Sequence, residues 1–214
     1  MTDTSSDQGG GAEQAFLVDF IDPLFAVVIH IGLTHGIMNE QWFKDWRLPA
    51  GQEVFHALVW TLAFATVLLS WLGYHRSILT KPLKGKARFL LDVILVTLYA
   101  FLMVKFKNID SVLGILAFIF VLFVLWDVAK VMEYPEMYPK TGRWLERYRR
   151  EAVTGGWCLA FIALWALRTQ LRWIGEPVTL VLVWLGTIVY RVNKRVPMWG
   201  LLKRELLREG VGRG

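Results

Sequence analysis

Long apolar stretches with few charged residues follow one another along most of the chain. A helix needs about 20 mainly apolar residues to cross the hydrocarbon core of a bilayer. The apolar runs are continuous and do not alternate with polar residues, which is typical of membrane helices and not of barrel strands. The pattern predicts an all-α membrane protein with six transmembrane helices, at 16–37, 55–73, 87–106, 111–129, 153–172 and 174–190.

The placement of Lys and Arg supports six spans. With this number, both termini and the loops 74–86 and 130–152 lie on one side, which then holds most of the 24 Lys and Arg residues. The positive-inside rule places this side in the cytoplasm, and we expect a multi-pass protein of a bacterial-type inner membrane. The segment 174–190 is short and follows the fifth after almost no loop, so a tight helical hairpin or a re-entrant segment is the alternative there.

The ends of the chain differ from its apolar middle. Residues 1–14 are acidic and rich in Gly and Ser, without Lys or Arg, which predicts a disordered cytoplasmic tail and argues against an ordinary secretory signal. The membrane domain is expected at 15–192 and a basic cytoplasmic tail at 193–214. Between spans, 141–151 resembles an amphipathic surface helix. A chain of 24.6 kDa is small for a complete transport path, so we expect a homo-oligomer.

The first span carries polar residues that a membrane helix rarely has without a reason. An ionisable group at membrane depth costs about 2.5–3.5 kcal/mol on insertion scales. Pro23 suits a first helical turn, so we expect the helix to begin at Asp22. The Asp22 carboxylate then caps this helix or, alternatively, forms a buried ion pair or a charge at a pore mouth. The second helix returns to the same depth at His75 and Arg76, which are candidate partners.

The middle of the first span offers two interpretations. Val27, Ile31 and Thr34 recur at i, i+4 and i+7, which is the spacing of one helix stripe. This stripe is either a packed seam of the core or a hydrophobic constriction that gates a pore by dewetting. His30 lies on an adjoining strip. It either hydrogen-bonds a neighbouring helix, or lines a pore or senses protons.

The spacing of the other polar residues indicates structural ion pairs and not a catalytic site. Arg88 precedes Asp92 by one turn, and Lys130 follows Asp127 by three residues, so each pair can form an ion pair within its helix. We find no Ser/His/Asp pattern, no Gly-rich phosphate loop and no metal-ligand spacing among the histidines. The sequence therefore predicts a protein that is not an enzyme and needs no cofactor or metal ion.

Two short strings are similar to motifs of a known channel family. The string Phe20–Ile29 reads FIDPLFAVVI, and Trp71–Arg76 reads WLGYHR. They resemble the first-helix motif Phe-Ser-Asp, followed by a small residue and an apolar run, and the second-helix motif Trp-x-x-His-His-Arg of the transmembrane protein 175 family of potassium channels. Ile21 stands where that family has serine. Six helices with cytoplasmic termini also fit a bacterial protomer of this family.

The resemblance implies a homotetramer whose central pore is lined by the first helix. Bulky apolar side chains of that helix would form the constriction, and by position these are Val27, Ile31 and, as a polar variant, Thr34. A polar network would support the pore helix. Its members by position are Asp22, His75 and Arg76.

The leading prediction is therefore a channel-like protein that passes potassium or other monovalent cations through an axial pore. The first alternative is a non-conducting membrane sensor, anchor or scaffold whose basic loops bind a cytoplasmic protein. A weaker alternative is a proton-linked transporter that uses Asp22 and His30. No nucleic-acid partner is expected, because basic loops beside anionic lipid account for the net charge of +6.

Overall fold

The described part of the chain is built from helices. The computed structural model describes residues 8–45, 48, 50–80, 85–137, 149–170 and 175–211. The helices are α1 (Gln8–Gly32), continued by a π-helical segment (Leu33–Met38), the short α2 (Gln41–Lys44), α3 (Gln52–Thr80), α4 (Lys86–Val104), α5 (Ile109–Glu133), α6 (Arg149–Gln170) and α7 (Glu176–Val211). A single 3-10 turn, Pro135–Met137, follows α5. For these residues the prediction of an all-α protein is confirmed.

Several helices have the length and composition of membrane spans. In the described residues, five candidate spans are found: Phe20–Met38, Gln52–Ile78, Lys86–Val104, Ile109–Glu133 and Glu151–Gln170. They are the spans of a multi-pass membrane protein and coincide with the first five predicted segments. The sixth segment, 174–190, falls on α7, which is not one of these five. Since α7 is continuous from Glu176 to Val211, it also runs through most of the predicted tail 193–214.

The first helix begins earlier than the proline suggests. It starts at Gln8, so Asp22 does not begin it and Pro23 lies inside it. The residues that precede Asp22 include several good helix formers, which favour this extension. A proline inside a helix removes one backbone hydrogen bond, which membrane helices tolerate when neighbouring groups satisfy the freed carbonyl. Residues 1–7 and the 141–148 part of the predicted surface helix lie outside the described residues.

The core lies between α1, α3, α4 and α5, and α6 and α7 pack against α5. On α4, Tyr99, Leu102 and Met103 are almost completely buried. Aromatic side chains connect α5 to the last two helices: the ring centroids of Phe120 and Phe161 are 4.3 Å apart, and those of Phe120 and Tyr190 are 4.9 Å apart. The buried faces therefore join six long helices into one bundle.

The two ends of the bundle differ in their polar groups. One end, which we call the polar end, contains Asp22, Asp92 and Asp127, each within about two turns of the end of its candidate span. At the opposite end, ion pairs connect loops and helix ends near the surface. Lys107 pairs with Glu40 at 2.6 Å and Arg168 with Asp110 at 2.8 Å.

The helices α1 and α3 approach each other closely at two glycines. The Nε1 atom of Trp60 donates a hydrogen bond to the Gly32 carbonyl oxygen at 2.9 Å. Gly36, one turn later and within the π-helical segment, lies against the same indole, and a Cβ atom there would overlap with it. The missing side chain at Gly36 is thus what allows Trp60 to pack between the two helices.

We expect Gly36→Ala to destabilise the fold by about 1–3 kcal/mol, because the methyl group displaces a rigid indole from a packed site. Gly156→Ala is the matched control, since a Cβ atom at that position in α6 meets no atom within 4 Å. Thermal unfolding of the purified protein in detergent, followed by circular dichroism, measures both. An unchanged melting temperature for Gly36→Ala would contradict the packing described here.

Candidate functional site

The outward face of α1 carries the residues that the sequence assigns to a pore. Ile21, Phe25 and Val28 are buried against the bundle, and the opposite side of the helix is exposed. Val27 lies on that exposed side with 54% of its surface accessible. His30 is also exposed and lies near the middle of the span. The structure therefore places both residues on the surface of the protomer.

The other two residues of the predicted stripe lie at the border of this surface. Ile31 and Thr34 are half-buried. The Thr34 hydroxyl donates a hydrogen bond to the His30 carbonyl oxygen at 2.8 Å, within its own helix. The outward strip is thus centred on His30, with Val27 and Thr34 beside it and Ile31 at its edge.

The predicted polar network is brought together in part. The distance between His75 Nε2 and Asp22 Oδ1 is 3.0 Å, and both side chains are half-buried. The Trp71 indole also donates a hydrogen bond to the same carboxylate oxygen at 3.3 Å. Arg76, the next residue on α3, is exposed and borders a cavity deeper in the bundle. Asp22 therefore contacts α3 from within α1 and does not cap a helix start.

This cavity lies at the polar end, between α1, α3, α4, α5 and α7, and has a volume of about 580 Å³. Small-molecule sites commonly occupy about 300–1,000 Å³. One wall is apolar and includes Phe25, Leu95 and Phe123. The other walls carry hydroxyl, carboxylate and basic side chains. Such a mixed lining is unusual inside a helical bundle and requires an account of how each charge is satisfied.

One buried carboxylate, that of Asp127, is fully paired. Asp127 is 1% exposed, and Lys130 donates to its Oδ1 atom at 2.8 Å. Its Oδ2 atom accepts from Thr154 at 2.7 Å and from Lys194 at 3.3 Å. Lys194 also donates to the Tyr190 hydroxyl at 3.0 Å. The cluster joins α5, α6 and α7, and it includes the ion pair with Lys130 that the spacing allows.

A second buried charge lies next to this cluster. The spacing predicts an ion pair of Arg88 within α4, whereas in the structure the completely buried Arg88 reaches across to α5 and pairs with Glu133 at 2.9 Å. The guanidinium also lies 4.6 Å from the centre of the Trp126 ring.

Tyr134 follows α5 and is buried. Burial raises the pKa of its hydroxyl, as do Glu133 and Glu136, against the opposite effect of Arg88.

Four polar atoms that belong to cavity-lining residues have no hydrogen-bond partner. They are Tyr74 OH, Tyr99 OH, Asp92 Oδ2 and Arg191 Nε. The first three residues are between 1% and 7% exposed. Sequence reasoning missed the two tyrosines and Arg191, because nothing along the chain indicates that α7 lies against α3. The one available signal was an arginine at the end of the sixth apolar segment.

Possible metal ligands are dispersed. The described residues contain no group of three or more His, Cys, Asp or Glu side chains that could hold a metal ion. His30 and His35 are exposed on α1, His56 lies at the opposite end of the bundle, and His75 contacts Asp22. The arrangement offers hydrogen bonds and charges, but not a metal centre, in this part of the chain.

Comparison with known proteins does not assign the chain to a family. No family model matches it, and neither a curated protein nor a solved structure matches it. The similarity to the transmembrane protein 175 channels stays a prediction that rests on the two short strings. Function must therefore be argued from the geometry of this chain.

We expect Asp127→Asn to lower the free energy of unfolding by about 2–3 kcal/mol, because Lys194 loses its ion-pair partner, whereas Lys130 keeps Glu151 at 3.8 Å. The matched control is Asp110→Asn. Its carboxylate also pairs with a basic residue, but the side chain is 55% exposed, so its loss should cost no more than about 1 kcal/mol. Chemical unfolding in detergent compares the two variants. Equal losses would show that the Asp127 cluster does not stabilise the bundle.

Proposed function

We propose that the protein is a homo-oligomeric membrane channel, in which α1 of each copy lines an axial pore for potassium or other monovalent cations. The observation that carries the proposal is the exposure of His30 in the middle of a membrane span. The resemblance of the α1 and α3 strings to potassium channels supports it independently. A tetramer is the assembly that this resemblance implies.

The exposure of His30 is unusual for the depth at which it lies. In the described spans, the other exposed ionisable side chains lie within the first or last turn, where water and headgroups are close; they are His35, Arg76, Lys86 and Asp110. An ionisable side chain that faces lipid at mid-span is costly, and such groups generally face a bundle interior or a water-filled cavity. A second copy of α1 across a pore axis provides that environment for His30.

The charge on α1 favours cations. Asp22 lies two turns before His30, at the flank of the exposed strip, and its side chain is 39% exposed. Its position is held by contacts with His75 and Trp71. Repeated around an axis, these carboxylates form an acidic ring of the kind that attracts cations. Val27, between the acidic ring and His30, then supplies the apolar constriction.

The topology of the proposal uses α7 as a sixth span. Its uncharged stretch ends near Arg191, and Lys194 and the basic residues beyond it lie on the side of the polar end. With six spans the positive-inside rule places this end, and both termini, in the cytoplasm. Asp22 is then at the cytoplasmic mouth of the pore.

We expect Val27→Ala to increase cation flux several-fold, because a smaller side chain widens an apolar constriction. Potassium, sodium and proton flux are measured in liposomes that contain the purified protein. Val181→Ala is the matched control, since Val181 is the same residue type on α7 with a similar exposure of 57%. Ile31→Asn, at the edge of the strip, should also alter the flux.

The flux experiment separates the channel from the alternatives. Absence of flux for all three ions from an intact oligomer would contradict the proposal and favour a non-conducting sensor, anchor or scaffold. Proton flux that is coupled to solute uptake and lost in His30→Ala would favour the proton-linked transporter. Equal flux changes in the Val27 and Val181 variants would show that α1 has no special role.

The position of α1 can be tested without conduction. We expect Val27→Cys, in a Cys158→Ser background that removes the single native cysteine, to form disulfide-linked dimers under mild oxidation in membranes. The reason is that equivalent residues beside an axis approach one another. Val181→Cys in the same background serves as the control. Cross-linking at Val181 but not at Val27 would place a different helix at the oligomer interface.

A further inference from the structure

The polar side chains that line the cavity at the polar end take no part in the proposed pore. It lies on the inner side of α1, where Phe25 packs against both unpaired tyrosines, with ring centroids 6.1 Å from Tyr74 and 5.9 Å from Tyr99. The proposed pore residues Val27 and His30 lie on the outer side of the same helix. The cavity is therefore a site separate from the proposed pore, and its own lining residues determine what it can bind.

The unpaired atoms of the cavity have opposite requirements. Asp92 Oδ2 is an acceptor that lacks a donor, and Arg191 Nε is a donor that lacks an acceptor. Buried polar groups of this kind are nearly always satisfied in native structures. Two tyrosine hydroxyls, which can donate or accept, lie in the same cavity.

Charge separates these groups from the Asp127 cluster. The Arg191 guanidinium donates only to neutral acceptors, the Leu69 carbonyl oxygen at 3.3 Å and the Ser70 hydroxyl at 2.9 Å. No carboxylate in the described part of the chain lies within ion-pair distance of it. Asp127, in contrast, already holds two lysines. The cavity thus keeps one positive charge available for an anionic group.

The acidic residue of the cavity wall, Asp92, lies on α4. Asp92, Leu95 and Tyr99 share one stripe at i, i+3 and i+7, so they line the cavity over a length of about 10 Å. Tyr99 lines the same cavity as Asp92 and Arg191. An acidic and a basic residue therefore flank the same tyrosine, and apolar side chains complete the wall.

From this arrangement we propose that the cavity binds a small zwitterionic solute of the amino-acid class, with an ammonium group, a carboxylate and an apolar body. Asp92 receives the ammonium group and Arg191 the carboxylate. The hydroxyls of Tyr74 and Tyr99 bond to the same polar groups. Phe25, Leu95 and Phe123 contact the apolar body. The proposal goes beyond the channel and does not depend on conduction.

The source of the zwitterion is a dissolved molecule and not a lipid headgroup. Tyr99 is 1% exposed and lies beyond the middle of α4, well inside the bundle. A phospholipid headgroup stays at the membrane surface. A small solute can enter from the polar end, where Arg76 and Ser77 border the cavity.

Binding is measured by equilibrium titration of the full chain in phosphatidylglycerol nanodiscs. The probes are L-phenylalanine and 6-aminohexanoate, which place the two charges at short and long separations. Each is compared with analogues that keep one charge, namely 3-phenylpropanoate and 2-phenylethylamine, or hexanoate and hexylamine. We expect at least one zwitterion to bind at least about tenfold more tightly than both of its analogues, because each analogue leaves either Asp92 Oδ2 or Arg191 Nε without a partner.

Variants of the cavity residues test which side chain contacts each polar group of the solute. Tyr99→Phe removes only an unpaired hydroxyl, so it should fold normally and weaken zwitterion binding roughly two- to tenfold. Tyr134→Phe is the matched control, since Tyr134 is buried outside the cavity, and its affinity should equal that of the wild type. Asp92→Asn and Arg191→Gln should each abolish the advantage of the zwitterion over one analogue.

Three results would overturn the proposal. One is a folded wild-type protein that binds none of the probes, which would leave a cavity filled by water. Another is equal affinity for a zwitterion and its single-charge analogues. The third is retention of phosphatidylethanolamine, detected by native mass spectrometry, with no binding of the dissolved probes, which would assign the site to a lipid headgroup. Val27→Ala should leave the affinity unchanged, so failure of the channel proposal does not affect this test.

Discussion

Neutralisation of Asp127 is the constraint on which the polar end of the bundle depends. A carboxylate that is almost completely buried among apolar helices is tolerated only when its charge and both oxygens are satisfied. The required groups come from α5 itself, from Thr154 on α6 and from Lys194 on α7. This cluster, the Tyr190 contact and the hydrogen bonds from Arg191 to α3 hold α7 in position. One wall of the cavity is fixed with it.

The same end of the bundle contains both satisfied and unsatisfied groups, and the contrast distinguishes structural groups from candidate functional ones. The pairs of Asp127 and Arg88 leave each charge close to an opposite one, which explains their presence without a ligand. Asp92 and Arg191 differ, since each lines the cavity with an unpaired atom. Charge pairing therefore separates the two sets: Asp127 and Arg88 each have an opposite charge within ion-pair distance, whereas Arg191 donates only to neutral acceptors.

The helices could be predicted from the sequence because apolar runs of sufficient length have few alternatives in a membrane protein. The contact of Asp22 with His75 also followed from simple topology, because an antiparallel second helix returns to the depth at which the first began. The start of α1 could not be read in this way, because the proline signal competes with helix formers before it. Contacts between helices that are far apart in sequence could not be predicted. Arg191 meets Ser70 across 121 residues, and no local pattern specifies this meeting.

The two proposals concern opposite sides of α1. Phe25 faces the cavity and Val27 faces the outside, so opposite faces of one helical turn separate the site within the protomer from the surface that the pore proposal places between protomers. The pore requires a second copy of the chain, because a single α1 strip encloses nothing. The cavity requires only one copy, because five helices of the same protomer already line it. In these proposals conduction requires oligomerisation and solute binding does not, so the two proposed functions can be lost separately.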